Sequence, residues 1–561
     1  MTNVGVDTET EEFDSKTGIT ARTAKMKGLA VAYSKEWAEY ETDPEKWASK
    51  VPGKGTNAVF HNARFDLMKL KQAGLPQPES WDDTLIAAHL CDENTPHGLK
   101  DLAKQLPYVK MAEKLGVNVV TKYKDVDKND PVAFAQYAKD DAIYTLQLWE
   151  NKYRQELSYQ ELDDVYELEK SIVPVVHQMQ DTGLLIDEVE LSEFGKFVQE
   201  ERARKRAAAF AVAEEEFPID SPKEVGNFLY NTKKLRCKKH TKKTGSPSTD
   251  REALVALDNP IAEAILQYRE MSKLETAFTN KLPTHIDTDG RIHPEFNPLG
   301  AATGRFSCSA PNVQQAPGKG ELGKRLRSCF IAPKGKKLVV ADYEQAELRV
   351  LAHYSNDPIL ISAYTKEGID LHTVTGQSIF GKQVLTKDER AVAKIINFGI
   401  VYGLSAQGLF RRLPSMGVVG FSLEDCSKFI QKYFQTYKGV ASFLNKVERR
   451  VQRVGYVKSI SGRRRRLPVG NEREVRQGQN FIIQATSADL CKAALVGIHS
   501  ELPKDSYIMA MVHDEIICEV PEEEAQHVKE LMETWIAQTP AGFRVPMTTS
   551  AHIVDRWSEA K

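Results

Sequence analysis

Across 561 residues, 41% hydrophobic and 27% charged, the chain is too long for a single core and too apolar for disorder; at about 100–200 residues per domain it should hold three or four globular units. Its 76 basic and 78 acidic residues leave a formal charge of −2, which excludes a protein that holds nucleic acid by bulk positive charge but leaves room for local basic patches. The seven cysteines, at 91, 237, 308, 329, 426, 491 and 518, include no C-x-x-C pair, so neither a disulfide framework nor a zinc ribbon is indicated and a reducing compartment fits. No apolar stretch approaches the roughly 18 residues that span a bilayer, and Met1 to Val6 is too short for a signal peptide, so a soluble intracellular protein with no membrane partner is expected.

The first 150 residues mix short β-rich runs, Val4 to Asp7 and Ala58 to His61, with helical patterns such as Asp83 to Leu90 and Ala133 to Tyr153, the texture of an α/β domain. From about 154 to 290 the pattern is helical and charged, with Ser221-Pro222-Lys223-Glu224 reading as a capping box. Within it Lys233 to Lys243 carries seven Lys/Arg and no acid; it reads either as a solvated loop or as a phosphate-backbone contact. A loop-rich stretch follows, then a buried strand, Leu338 to Ala341, and helices to about 455. Two late strands, Tyr507 to Val512 and Glu515 to Val520, are joined at His513-Asp514, a tight hairpin. The run Arg463 to Arg466 reads as an exposed turn or, in a nucleic-acid enzyme, a DNA contact.

Asp7-Thr8-Glu9 ends a short apolar strand, where side chains at i and i+2 share a face and two carboxylates could hold hard cations. Alone the motif is weak, since Asp-x-Glu recurs at Asp250 and at Asp342. Two further segments strengthen it: His61-Asn62-Ala63-Arg64-Phe65-Asp66, an acid after an apolar strand, and Tyr137-Ala138-Lys139-Asp140-Asp141, which sets Tyr137 and Asp141 on one helix face. In order and spacing the three resemble the DEDD-type 3′–5′ exonucleases, in the branch with a tyrosine in the third motif. That resemblance implies Asp7, Glu9, Asp66 and Asp141 as ligands of two divalent ions and Tyr137 as the residue that orients the attacking water. Asp140 points about 100° away from Asp141 and is expected to meet solvent.

A second centre is suggested by Asp342, at the end of the Leu338 to Ala341 strand, and Asp514 in the late hairpin. Arg390, Lys394, Phe398 and Tyr402 recur every four residues, stacking two cations and then two aromatics along one helix face. An amphipathic core helix would not place Arg and Lys there. With Asp342-Tyr343-Glu344-Gln345-Ala346-Glu347, Thr303-Gly304-Arg305, Pro311-Asn312-Val313-Gln314, Arg476-x3-Asn480-x3-Gln484 and His513-Asp514-Glu515, the chain resembles the bacterial DNA polymerase I family, family A, over nearly its whole length.

The resemblance implies a multidomain α/β and α+β protein: a ribonuclease H-like exonuclease domain over 1–153, a helical thumb over 154–290, a palm over 291–365 and 456–561, and fingers over 366–455. It implies a DNA-templated DNA polymerase in which Asp342 and Asp514 bind two Mg²⁺, with Mn²⁺ as a substitute, while Arg390, Lys394 and His372 grip the triphosphate as cations. Gln345 would join the nucleotide site. Phe398 would pack on the incoming sugar and base, Glu347 would be the steric gate against ribonucleotides, and Tyr402 would guard the template position. Arg305, Asn312, Gln314, Arg476, Asn480, Gln484 and His513 would contact primer and template, and Glu515 would support the two metal acids. Glu344 and Ala346 depart from the family's usual small and larger aliphatic residues, so selectivity is expected to differ there. A single-subunit RNA polymerase shares part of the pattern, but Glu347 and the complete exonuclease set argue against it. Because Asp7 already belongs to the exonuclease, no room is left for an amino-terminal 5′ nuclease, which suggests a compact phage replicase. It would work in the host cytoplasm on primed DNA with dNTPs, beside a helicase, a primase and a single-strand-binding protein.

Overall fold

The computed structural model describes residues 1–13, 20–116, 118–241 and 244–560; Lys242 and Lys243 of the basic loop lie outside them. The chain divides into two compact units, one of Met1–Gln178 with Asn297–Ser307 and Val454–Val469, the other of Met179–Phe296 with Cys308–Arg453 and Gly470–Lys561.

In the first unit five strands, β1 (Thr2–Thr10), β2 (Met26–Ala32), β3 (Ala38–Glu41), β4 (Thr56–Phe60) and β5 (Trp81–Asp83), form a mixed sheet in the order β3-β2-β1-β4-β5. The central strand β1 runs antiparallel to β2 and parallel to β4, and Val4, Val6, Val59 and Phe60 are buried on it and its neighbour. Helix Pro131–Leu148 lies against β1 because Gly5 has no side chain: a Cβ there would stand 2.0 Å from the Ala142 carbonyl oxygen. That close approach brings the end of β1 and the middle of the helix together.

The expected boundary at 153 falls inside a continuing helical run. Leu157, Leu162, Val165, Tyr166 and Val173 bury their side chains in the same core as β1, so the first unit continues to Gln178. The arginine cluster is also not the exposed or DNA-facing turn that its charge suggests. Strands Tyr456–Lys458 and Arg464–Arg466 pair as a hairpin within this unit, where Arg463 is 1% exposed and pairs with Glu169 at 2.5 Å. Arg465 and Arg466 reach Glu93 at 3.2 and 2.6 Å, and Arg464 and Arg466 donate to Gln160. The guanidinium of Arg463 also fills the space beside Gly304, where φ is +76° and a Cβ would come within 2.6 Å of it.

In the second unit four antiparallel strands, β6 (Lys336–Tyr343), β7 (Tyr507–Val512), β8 (Glu515–Pro521) and β9 (Thr549–Val554), are ordered β7-β8-β6-β9. The β7–β8 hairpin turns at His513-Asp514, as its residues predict, with His513 at φ 59°. Helix Glu472–Glu501 is long and apolar enough to cross a membrane, contrary to the reading of the sequence, but 83% of its 18-residue apolar window is buried inside the protein. It is a core helix. Helices Glu188–Ala213 and Pro260–Leu274 pack against each other around Ala209, Leu229, Ile265 and Tyr268. In the basic loop Lys233 pairs with Glu215 at 3.0 Å and Lys239 with Asp250 at 2.8 Å, while Lys238 donates to the Ala256 carbonyl. Part of the loop's positive charge is thus answered by its own neighbours, while Lys234, Arg236 and His240 remain exposed.

Replacing Arg463 by Ala removes one partner of a fully buried ion pair and should lower stability by about 3–5 kcal/mol, read by urea unfolding, with DNA affinity of the folded variant unchanged. Weaker DNA binding at unchanged stability would restore the DNA-contact reading.

Candidate active sites

In the first unit, four acids and a tyrosine arrive from three elements. Asp7 and Glu9 lie on β1, Asp66 on helix Ala63–Gln72, and Tyr137 and Asp141 on helix Pro131–Leu148. Asp66 is fixed by the residue between the two β1 acids: the Thr8 amide and hydroxyl donate to its Oδ1 at 3.0 and 2.6 Å. Asp66, Asp141 and Glu9 are buried, and the charges raise one another's proton affinity. Burial first, then repulsion by Glu9, Asp141 and Asp66, holds Asp7 well above the usual carboxylate range. Burial and Asp141 push Glu9 up to about 7. Burial, with a smaller push from Asp83, outweighs the bonds from Thr8 and holds Asp66 at about 7. Burial also raises Asp141, against the pull of Lys100. Asp140, expected to face solvent, is half-buried and accepts from Gln136 Nε2 at 2.8 Å. Sequence reasoning missed Thr8, whose role shows only once Asp66 is beside it, and Lys100, which touches Asp141 and carries no motif of its own.

In the second unit, the register pairs Asp342 with Glu515, and the Tyr343 amide donates to the Asp514 carbonyl at 3.2 Å, so Asp342 and Asp514 lie at the ends of adjacent strands. Thr549 Oγ1 donates to the Asp342 carbonyl at 2.7 Å from the other side. Glu515 turns away into the core at 1% exposure, held by Arg327 Nη1 at 3.0 and 3.3 Å and by the Trp557 indole N–H; Arg327 itself stacks 4.1 Å from the Trp557 ring. Neither partner of Glu515 was legible beforehand.

Helix Lys387–Val401 opens on a Thr386/Glu389 capping box and presents Arg390, Lys394 and Phe398. Tyr402 falls one residue past its end, at the C-cap, and so departs from the expected continuous face. From there its hydroxyl donates to Glu347 Oε2 at 2.6 Å. Arg390 Nε bonds Asp370 Oδ2 at 3.0 Å. Asp370 caps helix Leu371–Phe380; burial acts to raise its carboxyl, but Thr373, Arg390 and the His372 amide outweigh that and hold it at about 2. Burial, helped by Lys319 and Arg390, lowers Lys394 from the ordinary lysine range.

His372 is not the cation expected of it. Burial, with Lys394 and Arg390 nearby, pushes it down to about 4, despite Asp370. The Asn397 amide, fixed by Thr375 Oγ1 at 3.0 Å, donates to His372 Nδ1 at 3.0 Å, which leaves Nε2 as the protonated nitrogen. His372 is therefore a neutral donor, with its ring 5.6 Å from that of Phe398.

Gln345 sits in a left-handed conformation, φ 55°, with its side chain accepting from Tyr364 at 3.1 Å. Glu344 bonds Thr548 Oγ1 at 2.7 Å, and Ala346 is buried at the start of helix Ala346–Ser355. Gln314 Nε2 donates to the Met511 carbonyl at 3.1 Å, on the strand that leads to His513 and Asp514. Arg476 packs against Gly403, where a Cβ would meet it at 2.9 Å. Asn480 and Gln484 follow Arg476 on helix Glu472–Glu501. Arg305 belongs to the Asn297–Ser307 segment of the first unit. Among the described residues, no three His, Cys, Asp or Glu side chains form a ready-made metal cage.

The family model for DNA polymerase family A matches residues 188–559, and that for a 3′-5′ exonuclease matches residues 1–155. DNA polymerase I of Chloroflexus aurantiacus is 33% identical over 527 residues, 89% of this chain and 54% of the relative. The thermostable DNA polymerase I of Thermus aquaticus is 37% identical over 408 residues, 70% of this chain and 48% of the relative. The chain thus spans about half the length of the relatives it matches. Among solved structures, the POL domain of Pol1 from M. smegmatis, in complex with DNA primer-template and dNTP, matches with a TM-score of 0.85 at 26% identity, covering 100% of this chain and 96% of that one. The strand-end acids of the palm-like sheet, the Arg390–Lys394–Phe398 helix and the matched models agree: the chain belongs to DNA polymerase family A and carries a 3′–5′ exonuclease-type domain ahead of its polymerase domain.

Proposed function

We propose that the protein extends a DNA primer on a DNA template with dNTPs and edits the 3′ end with its first unit. The observation that carries this reading is the coexistence of two separate acid centres, Asp342 with Asp514 at the ends of adjacent strands, and Asp7 and Glu9 on β1 with Asp66 and Asp141 from two helices. We read the helices Glu188–Ala213 and Pro260–Leu274 as thumb, the β6–β9 sheet as palm and the helices from Leu371 to Val454 as fingers.

Two carboxylates without a full cage suit Mg²⁺, which is commonly held by one or two carboxylates together with substrate phosphates. Asp342 and Asp514 would hold it in the polymerase site, with Mn²⁺ able to substitute. At the editing site the mutual repulsion of four acids marks a donor set that a divalent cation relieves. When bound, such ions acidify the attacking hydroxyl or water and neutralise charge at the phosphorus.

The protein's own residues do the rest. Arg390 and Lys394 bind the triphosphate, and His372 donates from neutral Nε2 rather than by charge. Phe398 packs on the incoming nucleotide, Glu347 fills the space a 2′ hydroxyl would need, and Tyr402 holds Glu347 in place while guarding the template position. Gln345, tied to Tyr364, acts on the nucleotide through the backbone turn it makes. Glu515 fixes the start of the strand that follows Asp514. Arg305, Asn312, Gln314, Arg476, Asn480, Gln484 and His513 are read as primer–template contacts, on the match of their segments to the family pattern. Tyr137 orients the water of the editing reaction. Helicase, primase and single-strand-binding protein remain the partners a replicative role would need. The phage origin suggested by the sequence draws no support from the named relatives, which are bacterial.

The double substitution Asp342→Ala and Asp514→Ala should abolish primer extension, and Asp7→Ala with Glu9→Ala should abolish 3′ degradation while extension persists; extension surviving the first pair, or degradation surviving the second, sinks the corresponding assignment. Glu347→Ala should raise incorporation of ribonucleotides relative to deoxynucleotides by at least about tenfold, a discrimination of about 1.4 kcal/mol, measured in single-nucleotide extension. The metal set can be tested without turnover. Glu9 and Asp66, held at about 7 against about 4 in an unfolded chain, bind protons in the folded state that the unfolded chain has released. Stability of the first unit in EDTA should therefore fall as pH rises from about 4 to 7, and Mg²⁺ should restore it at pH 8. A flat profile in thermal unfolding would count against the cluster.

A further inference from the structure

Lys100 stands on the short helix Leu99–Ala103, outside every segment that identified the editing site. Its side chain is only 16% exposed. The ammonium touches Asp141 Oδ1, lies 3.9 Å from the centre of the Tyr137 ring and 5.5 Å from that of Tyr144. A desolvated ammonium over an aromatic face is held there by the ring quadrupole as well as by its carboxylate partner. It thus grips both residues that the third motif supplies, and its charge opposes the proton affinity that burial gives Asp7, Glu9 and Asp141.

An ordinary brace would join a lysine to an acid at the surface. Here the partner is one of four acids crowded at the centre, and the ring it covers belongs to the water-orienting tyrosine. Resting on the editing reading above, we propose that Lys100 is a positioning residue of the exonuclease: it is a cation that competes with a divalent ion for Asp141 and the backing that fixes the Tyr137 ring during turnover. The two roles make opposite demands on a substitution. Without the ammonium, Asp141 is more open to a divalent cation, so metal should bind more tightly. Without the cation on its face, Tyr137 loses its fixed ring, so cleavage should slow.

The test uses the full chain carrying Asp342→Ala and Asp514→Ala, which removes the polymerase acids from the measurement, with Lys100→Met and Lys100→Arg added in turn. Free Mn²⁺ is followed by electron paramagnetic resonance during titration without DNA, and 3′ degradation of a single-stranded oligonucleotide is timed at saturating Mn²⁺. Lys100→Met should bind Mn²⁺ about threefold to tenfold more tightly and cleave at least about tenfold more slowly. Lys100→Arg, which keeps the charge and stacks on aromatic rings, should recover most of the rate and the parent Mn²⁺ affinity. A Mn²⁺ midpoint unchanged in Lys100→Met overturns the proposal whatever the rate does, and so does a tighter midpoint at unchanged rate. Thermal unfolding of each variant identifies any that fails to fold, in which case Lys100→Arg against the parent decides. Should Asp7→Ala with Glu9→Ala leave degradation intact, the editing assignment itself fails, a result separate from any reading of Lys100.

Discussion

The pairing of β6 with β8 is the constraint on which the polymerase half depends. Asp342 stands opposite Glu515 in that register, and Asp514 precedes Glu515 in the hairpin turn. A slip of one residue would turn every side chain of the strand to the other face, sending Glu515 out of the core and Asp514 away from Asp342. The grip of Arg327 and the Trp557 indole on Glu515 makes that slip expensive, because a buried carboxylate taken from its partners is strongly destabilising. A buried ion pair adds little net stability compared with apolar packing, but it can specify one register over another. Here the register it specifies is the one that sets the end of β6, with Asp342, beside the hairpin turn that carries Asp514.

The two centres handle charge in different ways. In the palm, Glu515 is neutralised inside the core by Arg327, and the cations of the fingers face Asp370 and one another; Arg390 is oriented by a carboxylate that stays ionised down to about pH 2. The editing site leaves its acids crowded, with Glu9 and Asp66 at about 7 and one ammonium among them. Crowding of this kind costs free energy that a bound cation would offset, and it is the physical basis for the metal-binding reading proposed for these acids. Gly5 is the backbone condition for it, since any larger residue would push helix Pro131–Leu148, and with it Asp141, off the sheet.

Features that depend on local spacing were legible in the sequence. The acids at strand ends, the 513–514 hairpin and the cationic helix beginning near Arg390 follow from periodicity and turn chemistry, and the structure places them so. Features that depend on which distant group a charge meets were not legible. The arginines at 463–466 look like a DNA contact until Glu93, Gln160 and Glu169, some 300 residues earlier, are seen to take them up. Lys100 looks like any helix lysine until Asp141 and Tyr137 arrive beside it. His372 reads as a cation because its type allows it, whereas burial and the Asn397 amide decide otherwise. The extent of the first compact unit was hidden for a related reason: helical character changes near 153, close to where the matched exonuclease segment ends, but the apolar face continues and completes the core of that unit.

Net charge takes on a different meaning in this light. A sum of −2 suggests basic patches segregated for DNA from acids reserved for metals. Each arginine of the 463–466 hairpin is in fact taken up by the chain's own acids or carbonyls, and so are three of the described cations of the basic loop, Lys233, Lys238 and Lys239. On the Arg390–Lys394 helix the charge is handled differently: Asp370 orients one cation, and the other is lowered from its usual range by burial and by its positive neighbours. The positive neighbours of Lys394 cost free energy that an anion would offset, which is the physical basis for the triphosphate contact proposed at this helix.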